Sequence, residues 1–447
     1  MLRFGTDGIR GVANSEITPE LALALGRVAA LHLPGSPWLV GRDTRRSGPM
    51  LLAAFAAGLA AEGRDVLDCG VIPTPGLAWL AGERGVPAAM VSASHNPFGD
   101  NGIKLFARGG SKLSLEDEAA IQDDLGSAAL QPMPAHDDAT VGTGVGTIAA
   151  DTFGLAAYAD RLVAIGGGTT RYQGRVVVDC ANGSASVVAP GVLARLGVDC
   201  EIVSAVPDGA NINDGCGSTH IARLQAAVLA SGAGVGIAFD GDADRMLAVD
   251  NVGSVVDGDQ LIAMFAADLN SRGELAGGGV VATLLSNLGL RLALSEQGID
   301  LVETPVGDRH VADAMETSGY VLGGEQSGHL IFRQHAATGD GVLTALQLLD
   351  LLARAGVPLA DLAGRSMQRV PQVMLSVPVA DRERLAGAGA VWAEVKLVSE
   401  QLGASGRVVL RPSGTEPAVR VMVEGPTAGE VDALVRRLAE VIARELA

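Results

Sequence analysis

Short apolar runs alternate with longer segments of helical spacing over most of this chain. Runs such as Ala88–Val91, Arg175–Val178 and Val235–Phe239 have the length of buried strands, and helical patterns such as Pro49–Glu62 lie between them. This alternation is typical of βαβ units with mostly parallel sheets. At 447 residues the chain is also too long for one ordinary core. The sequence therefore predicts several α/β domains.

The pattern changes near the C-terminus. Two strand-like runs, Arg407–Leu410 and Val419–Val423, flank a loop, and Thr427 with Glu430 forms a capping box before a helix with one apolar stripe. We predict an α/β protein with three similar α/β domains of mostly parallel mixed sheets and a smaller C-terminal α+β domain. The predicted domains cover residues 1–150, 151–250, 251–366 and 367–447.

The charge and the cysteines limit the partners and the compartment. A formal net charge of −18 repels nucleic acid and anionic lipid, so we expect neither nucleic acid nor a membrane as a partner. An anionic small molecule would need locally clustered arginines and lysines. The four cysteines lack metal-site spacing, and no uncharged apolar run has membrane-spanning length, which indicates a cytoplasmic protein with reduced thiols.

The stretch SASHNP places Ser94 just after a strand, where open α/β sheets bind ligands. A hydrolase elbow is excluded because its GxSxG pattern is missing. We expect His95 to point away from Ser94, since neighbouring side chains on extended backbone point apart. Two interpretations remain open for this stretch: a nucleophilic serine, or an Asx turn made by Asn96 before a proline.

A turn signal follows this serine. Asp100, Asn101 and Gly102 are typical turn residues, and we expect them to send the chain back so that Lys104 approaches Ser94. A lysine beside a serine suits phosphoryl transfer, because it can move a proton and offset negative charge.

Three carboxylates follow the next buried strand, in the motif AFDGDADR. Asp240, Asp242 and Asp244 would repel one another unless a cation neutralised them. An EF-hand is excluded because Arg245 and Asn251 stand where its glycine and glutamate would be. Few protein oxygen ligands with open positions suit Mg²⁺ holding a phosphate.

Other loops contain basic and hydroxyl side chains. RPSGTEP supplies Arg411, Ser413, Gly414 and Thr415, which suit a phosphate cradle, although an ordinary hairpin loop is the alternative. Arg10 lies on a glycine-flanked turn. For Arg42 and Arg45, in GRDTR, a surface ion pair is at least as good an interpretation as a binding patch. The loop GEQSGH presents Glu325, Ser327 and His329, which either bind hydroxyl groups or are structural.

These motifs, taken in order, resemble the α-D-phosphohexomutase superfamily over essentially the whole chain. The pieces that carry the resemblance are FGTDGIRG, SASHNP, NIN with CGSTH, SNLGL, GEQSGH and RPSGTEP. Within the superfamily the chain is most similar to the glucosamine-specific branch. One departure is His310, where the family has tyrosine.

The resemblance implies four domains around a central cleft, and it implies an isomerase. Phosphorylated Ser94 would exchange its phosphoryl group with a glucosamine phosphate through glucosamine 1,6-bisphosphate, a step toward UDP-N-acetylglucosamine and peptidoglycan. One Mg²⁺ per chain would be held by Ser94 and the three aspartates. The resemblance assigns proton transfer to Lys104 and Arg10, the sugar to Glu325, Ser327, His329 and Arg245, and the distal phosphate to Arg411, Ser413, Gly414 and Thr415.

The implied partner is a small sugar phosphate. The sequence leaves open a homodimer, and it leaves open whether a kinase or autophosphorylation first loads Ser94. Two alternative functions also remain: a phosphoglucomutase or phosphomannomutase with the same chemistry, and a non-catalytic sugar-phosphate-binding protein. Gln326 argues against the first, and the joint presence of Ser94, Lys104 and the aspartates argues against the second.

Overall fold

The computed structural model describes residues 8–128, 141–167, 171–413 and 417–447. The described residues form four β-sheets with helices packed on them. The predicted fold class is confirmed: three α/β units with mixed sheets are followed by a smaller α+β unit.

The first sheet has six strands in the order β1-β5-β4-β2-β3-β6. The β2, β3, β4 and β6 strands run parallel, whereas β5 pairs antiparallel with both β4 and β1. Trp38 and Phe55, edge to face, belong to its core. The strands are β1 (Ile9–Val12), β2 (Trp38–Arg42), β3 (Val66–Val71), β4 (Ala88–Val91), β5 (Asp100–Phe106) and β6 (Ile148–Ala150), and the helices are α1 (Pro19–His32), α2 (Gly48–Ala61), α3 (Thr74–Arg84) and α4 (Leu115–Ala128).

The second sheet has five strands in the order β11-β10-β9-β7-β8. The β7, β8 and β9 strands are parallel, and β10 and β11 extend the sheet as antiparallel strands. The strands are β7 (Val176–Asp179), β8 (Cys200–Val203), β9 (Val235–Phe239), β10 (Met246–Asp250) and β11 (Val255–Val256), and the helices are α5 (Gly154–Gly166), α6 (Ala189–Arg195) and α7 (Ala222–Ser231).

The third sheet has four strands in the order β13-β12-β14-β15, of which only β15 is antiparallel. It shares one hydrophobic cluster with the second sheet, in which Phe239, Ile262 and Leu346 are buried together. The strands are β12 (Gly279–Thr283), β13 (Asp300–Thr304), β14 (Leu322–Gly324) and β15 (Leu330–Phe332), and the helices are α8 (Gly258–Ser271), α9 (Leu288–Glu296), α10 (Asp308–Ser318), α11 (Gly341–Ala355) and α12 (Leu359–Ser366).

The fourth sheet is antiparallel, in the order β16-β18-β17. The predicted capping box is present, because the Thr427 side chain accepts a hydrogen bond from the Glu430 backbone N–H at the start of the last helix. The apolar stripe of that helix is buried against the sheet. The elements are β16 (Gln372–Pro378), β17 (Arg407–Pro412), β18 (Ala418–Glu424), α13 (Gly389–Leu402) and α14 (Ala428–Glu445).

In the described part of the chain, no helix taken singly has both the length and the apolar character needed to cross a membrane. The consecutive helices α11 and α12 meet those criteria only as a pair, and they lie at 95° to each other.

The four cysteines are free thiols. Cys69, Cys180 and Cys216 are buried and Cys200 is half-buried. Burial raises the pKa of the Cys69 thiol to about 12, and it also raises the pKa of Cys180 well above the ordinary range for a thiol. These two thiols therefore remain protonated at neutral pH, and the four cysteines are reduced as the sequence predicts.

A buried carboxyl group in the third unit makes stability depend on pH. Burial, and then the charge of Asp257, raise the pKa of Asp259 to about 7. In the unfolded chain this pKa is about 4, so between about pH 4 and pH 7 the folded state holds a proton that the unfolded state has lost. Ionising the buried Asp259 opposes folding. The stability that this group contributes is therefore fully present below about pH 4, and it is lost as pH rises through about 7.

We expect Asp259→Asn to remove this dependence. An asparagine oxygen can still accept the Asn287 N–H bond that Asp259 accepts at 2.8 Å. The variant should therefore gain thermal stability over the native protein as pH rises from about 5 to about 8, by about 1 kcal/mol or more at the upper end. Melting temperatures across this range test it, with the exposed Asp214→Asn as control. A constant difference between the native and variant midpoints would contradict the prediction.

Candidate active site

Ser94 lies in the loop between β4 and β5, at the carboxyl end of a parallel strand. Its backbone is left-handed, with φ of 51°, which is uncommon for a residue other than glycine. Its N–H donates to Ser92 Oγ at 2.9 Å. Its hydroxyl is buried and donates to Asp240 Oδ2 at 2.5 Å, so the serine faces the loop of residues 240–244 in the second unit, here called the acidic loop.

The turn that brings Lys104 back is earlier than the sequence predicts. The Asp100 N–H donates to Pro97 O at 3.1 Å, so the turn comprises Pro97 to Asp100, whereas Asp100 to Gly102 already belong to β5. The predicted turn position is therefore wrong, because pairing with β1 extends these three residues despite their turn propensity. Lys104 pairs with Met90 on β4, and its ammonium group contacts Asp242, two residues from the aspartate that Ser94 contacts.

The expectation that His95 points away from Ser94 is wrong. Its Nδ1 lies 3.3 Å from Ser94 Oγ, because the left-handed backbone at Ser94 removes the alternation of an extended strand. Burial, and then the positive charges of Arg245 and Arg10, lower the pKa of His95 to about 4. At neutral pH its ring is therefore uncharged. Arg10, on β1, pairs with Gly102 on β5, the strand that follows the loop of Ser94.

The three aspartates of the acidic loop follow β9 and converge on one point. One carboxylate oxygen from each of Asp240, Asp242 and Asp244 lies within 4.8 Å of the other two, and all three residues are buried. Burial, and then the charges of Asp244 and Asp242, raise the pKa of Asp240 well above its ordinary value. Burial alone would also raise the pKa of Asp244, but Lys104, His329 and Arg245 lower it below its ordinary value.

Lys104 and Thr74 contact the same acidic loop from the first unit. Lys104 Nζ lies 2.8 Å from Asp242 Oδ2 and 3.4 Å from Asp244 Oδ2, and the lysine is buried. Thr74, at the start of α3, donates to Asp242 Oδ2 at 2.5 Å. The sequence analysis missed Thr74. Its signal is a threonine between two prolines directly after a strand-like run.

The acidic loop fits a hard divalent cation. Asp242 Oδ1 and Asp244 Oδ1 are buried, and neither has a hydrogen-bond partner in the parts of the chain that the structure describes. Such oxygens cost free energy when they are left unpaired, and Mg²⁺ prefers carboxylate oxygens. Ser94 Oγ lies 2.5 Å from Asp240 Oδ2, directly beside this trio.

Arg45 is not part of a surface ion pair, which corrects one of the two interpretations of the GRDTR stretch. It has no exposed surface, and its guanidinium donates to four backbone carbonyl groups of the loop that carries Ser94. Asp43, also fully buried, accepts from its Nε at 2.9 Å. The sequence signal was the position of GRDTR at the end of the buried strand β2.

Glu325 and Ser327 lie in the loop between β14 and β15 and are half-buried. Ser327 Oγ donates to Glu325 Oε2 at 3.4 Å, and the Gly307 N–H donates to Glu325 Oε1 at 3.1 Å. Arg245 is half-buried beside the acidic loop, with its Nε 3.8 Å from Asp244 Oδ1. These three side chains are partly accessible to a ligand.

His329 lies behind the acidic loop and is buried. Its Nε2 accepts a hydrogen bond from the Gly339 N–H at 3.0 Å, and its Nδ1 lies 3.8 Å from Asp244 Oδ2. Burial lowers its pKa, but Asp244 and Asp308 outweigh burial and raise it to about 8. The raised pKa favours a charged ring, whereas the Gly339 N–H donor to Nε2 favours the neutral ring with its proton on Nδ1.

Arg411, on β17, is half-buried and lies directly opposite Arg420 on β18. Two arginines in register repel each other, and burial followed by Arg420 lowers the pKa of Arg411, while Glu325 raises it. The fourth unit therefore brings positive charge to the loop of Glu325. Ser413 is buried at the end of β17. The predicted residues Gly414 and Thr415 lie outside the described residues.

Models of four domains of the phosphoglucomutase/phosphomannomutase family match this chain. The three α/β/α domain models match residues 1–131, 156–253 and 257–370, and the C-terminal domain model matches residues 374–441. The chain belongs to the phosphoglucomutase/phosphomannomutase family. The resemblance to the phosphohexomutases that the sequence motifs carry is thereby confirmed.

Curated members of the family are similar over their whole length. A phosphoglucosamine mutase of Thermobifida fusca is 50% identical over 452 residues, which cover 99% of this chain and 98% of its own. A phosphoglucosamine mutase of Rubrobacter xylanophilus is also 50% identical, with 99% of this chain and 98% of its own covered.

Solved structures share the fold of the family. A phosphoglucomutase/phosphomannomutase family protein of Burkholderia thailandensis superposes with a TM-score of 0.81 at 23% identity, covering 98% of this chain and 97% of that one. The N-acetylphosphoglucosamine mutase of Aspergillus fumigatus, in complex with GlcNAc-6P and magnesium, has a TM-score of 0.72 at 20% identity, covering 100% and 96%. At these identities the similarity concerns the fold alone.

Proposed function

We propose that this chain interconverts glucosamine 6-phosphate and glucosamine 1-phosphate through a phosphorylated Ser94. The observation that carries the chemistry is the 2.5 Å contact between Ser94 Oγ and Asp240 inside a buried acidic trio. The choice of glucosamine rests on two phosphoglucosamine mutases that are 50% identical over nearly the whole chain.

The first step of the proposed reaction transfers the phosphoryl group from Ser94 to O1 of glucosamine 6-phosphate. The bond between Ser94 Oγ and phosphorus breaks as O1 of glucosamine 6-phosphate bonds to the phosphorus, and the O1 proton passes to a base. Lys104 and Arg10 are assigned to the site of this proton transfer, where Lys104 takes the proton and Arg10, which stays charged, offsets negative charge. Lys104 then gives this proton to the released serine oxygen, and the resulting hydroxyl group donates a hydrogen bond to Asp240.

The product of this step is glucosamine 1,6-bisphosphate. After it turns end for end, Ser94 Oγ takes the phosphoryl group from O6, which leaves glucosamine 1-phosphate. The sugar hydroxyl groups are assigned to Glu325, Ser327 and Arg245, whose side chains are partly exposed. The distal phosphate is assigned to Arg411, Ser413, Gly414 and Thr415, because the bidentate donors of arginine and hydroxyl groups suit a phosphate in either orientation of the sugar.

One Mg²⁺ per chain would be held by Asp240, Asp242, Asp244 and the phosphoryl group on Ser94. When bound, it supplies positive charge that offsets the phosphoryl oxygens, the main requirement of phosphoryl transfer. His329 is assigned a positioning role and not a sugar contact, because both of its ring nitrogens face protein groups.

The test is turnover of glucosamine 6-phosphate and of glucose 6-phosphate by the same enzyme, each with a trace of the matching 1,6-bisphosphate. We expect kcat/KM to favour the amino sugar by at least about tenfold, since a polar site discriminates strongly against a changed polar group. A chelator should remove the activity, and added Mg²⁺ should restore it. A preference for the glucose or mannose phosphate would replace the proposed substrate, and activity unaffected by the chelator would exclude the metal assignment.

A further inference from the structure

The loop Ser92–Asp100, here called the serine loop, is held by two side chains that do not belong to it. Arg45 comes from the end of β2 in the first unit, and Asn213 comes from the second unit, in the segment between β8 and α7. Both side chains donate to the same two backbone carbonyl groups, those of Ser94 and Asn96.

The Arg45 guanidinium is fully buried, and each of its two terminal nitrogens donates to two carbonyl groups of the serine loop. Its Nη2 donates to Ser94 O at 2.9 Å and to Asn96 O at 2.7 Å, and its Nη1 donates to Pro97 O and Asp100 O. Asp43 orients it and also accepts from Ser92 Oγ at 2.7 Å. A planar group with several N–H donors satisfies all these acceptors from one fixed position.

Asn213 completes the set from the opposite side. Its Nδ2 donates to Ser94 O at 2.9 Å and to Asn96 O at 3.1 Å. The reverse orientation would place its Oδ1 against two carbonyl oxygens and is excluded by repulsion. In the observed orientation Oδ1 is buried without a hydrogen-bond partner among the described residues. The side chain therefore leaves one acceptor unpaired, at a cost in free energy, while it holds the serine loop.

These contacts affect the backbone conformation of Ser94, the proposed nucleophile. A φ of 51° is unfavourable for serine and persists only where the surroundings hold it. Two donors fix the Ser94 carbonyl group, so the peptide bond between Ser94 and His95 is held in place. In this conformation Ser94 Oγ reaches Asp240, and Asn213 belongs to the same unit as that aspartate.

We propose that Arg45 and Asn213 are positioning residues that hold Ser94 in its left-handed conformation and thereby align its oxygen with the acidic loop. This inference rests on the proposed function, since it concerns the phosphoryl transfer by Ser94. Asn213 is itself only 5% exposed and acts through the backbone of the serine loop, so its loss should change the rate of transfer and not the binding of the sugar.

The test variant is Asn213→Ala, and the matched control is Asn182→Ala. Asn182 lies in the same unit, is also nearly buried and also has a left-handed backbone, with φ of 48° against 58° for Asn213. Its amide groups bond to Asn211 O and Val206 N and do not touch the serine loop. Both substitutions therefore remove a buried amide and place alanine in the same strained conformation.

For Asn213→Ala we expect kcat to fall about 10- to 100-fold with KM within about twofold, because a small misplacement of a reacting atom has effects of this size. Single-turnover transfer from the phosphorylated enzyme should slow by the same factor. Asn182→Ala should lose a similar amount of thermal stability while it keeps kcat within about threefold.

The positioning role of Asn213 and the proposed function would be overturned by different results. Equal kcat values for the two variants at equal melting temperatures would overturn the positioning role of Asn213. An unsubstituted enzyme that fails to convert any hexose phosphate would instead overturn the proposed function, and it would do so before either variant is compared.

Discussion

Ser94→Ala is expected to lower mutase activity by at least about a thousandfold, because it removes the oxygen that carries the phosphoryl group. The side chain is small and buried, and alanine removes only the hydroxyl that donates to Asp240. The fold should therefore persist. Turnover of glucosamine 6-phosphate and the intact mass of the purified protein together measure the effect, since the unsubstituted enzyme should carry one added phosphoryl group.

Ser92→Ala is the control for this experiment. Ser92 is two residues away and equally buried, but its hydroxyl accepts from the Ser94 N–H and donates to Asp43, whereas the Ser94 hydroxyl donates to Asp240. This variant should retain the added mass even if its activity falls. An alanine at position 94 that keeps the added mass, or that turns over at the original rate, would exclude Ser94 as the nucleophile.

Gly241→Ala is expected to have the second largest effect. A Cβ atom at this position would lie 2.5 Å from Ser94 O, 2.9 Å from Ile212 Cδ1 and 3.0 Å from Asn213 Nδ2. The nearest of these atoms is backbone, so the serine loop itself must move away from the acidic loop. Because displacement of a reacting atom by about 1 Å can cost a factor of about 100, we expect kcat to fall by about that factor. Overpacking should also lower stability by about 1–3 kcal/mol.

Gly191→Ala is the matched control, because it adds the same methyl group where no heavy atom lies within 4 Å. Gly191 is exposed on helix α6, where alanine has the higher helix propensity, so this variant should be as stable as the native protein or slightly more stable. Steady-state kinetics and thermal unfolding of both variants provide the comparison. Full activity in Gly241→Ala would mean that the serine and acidic loops do not need their close approach.

Much of the architecture could be predicted from the sequence. The runs Ala88–Val91 and Val235–Phe239 are strands β4 and β9 within their predicted bounds, because continuous apolar runs of that length form buried strands in α/β sheets. The places of Ser94 and Asp240 at the ends of these strands follow from the same pattern. The capping box at Thr427 is also present, since capping depends on residues three positions apart.

The errors concern positions where distant contacts override local preference. The turn propensity of Asp100 to Gly102 is overridden by antiparallel pairing with β1. Arg45 looks like a surface residue by its charge, yet it is buried because the serine loop supplies four carbonyl acceptors. His95 lies beside Ser94 because the backbone at position 94 is left-handed.

The sequence by itself determined which chemical groups this protein has and that they follow buried strands, because apolar periodicity and residue type are local properties. Only the tertiary structure decided that Ser94 meets Asp240, which is 146 residues away along the chain. That contact depends on the conformation of one serine, which we attribute to hydrogen bonds from Arg45 and Asn213. Those donors are remote from Ser94 in sequence, so no pattern within the SASHNP stretch could have indicated their effect.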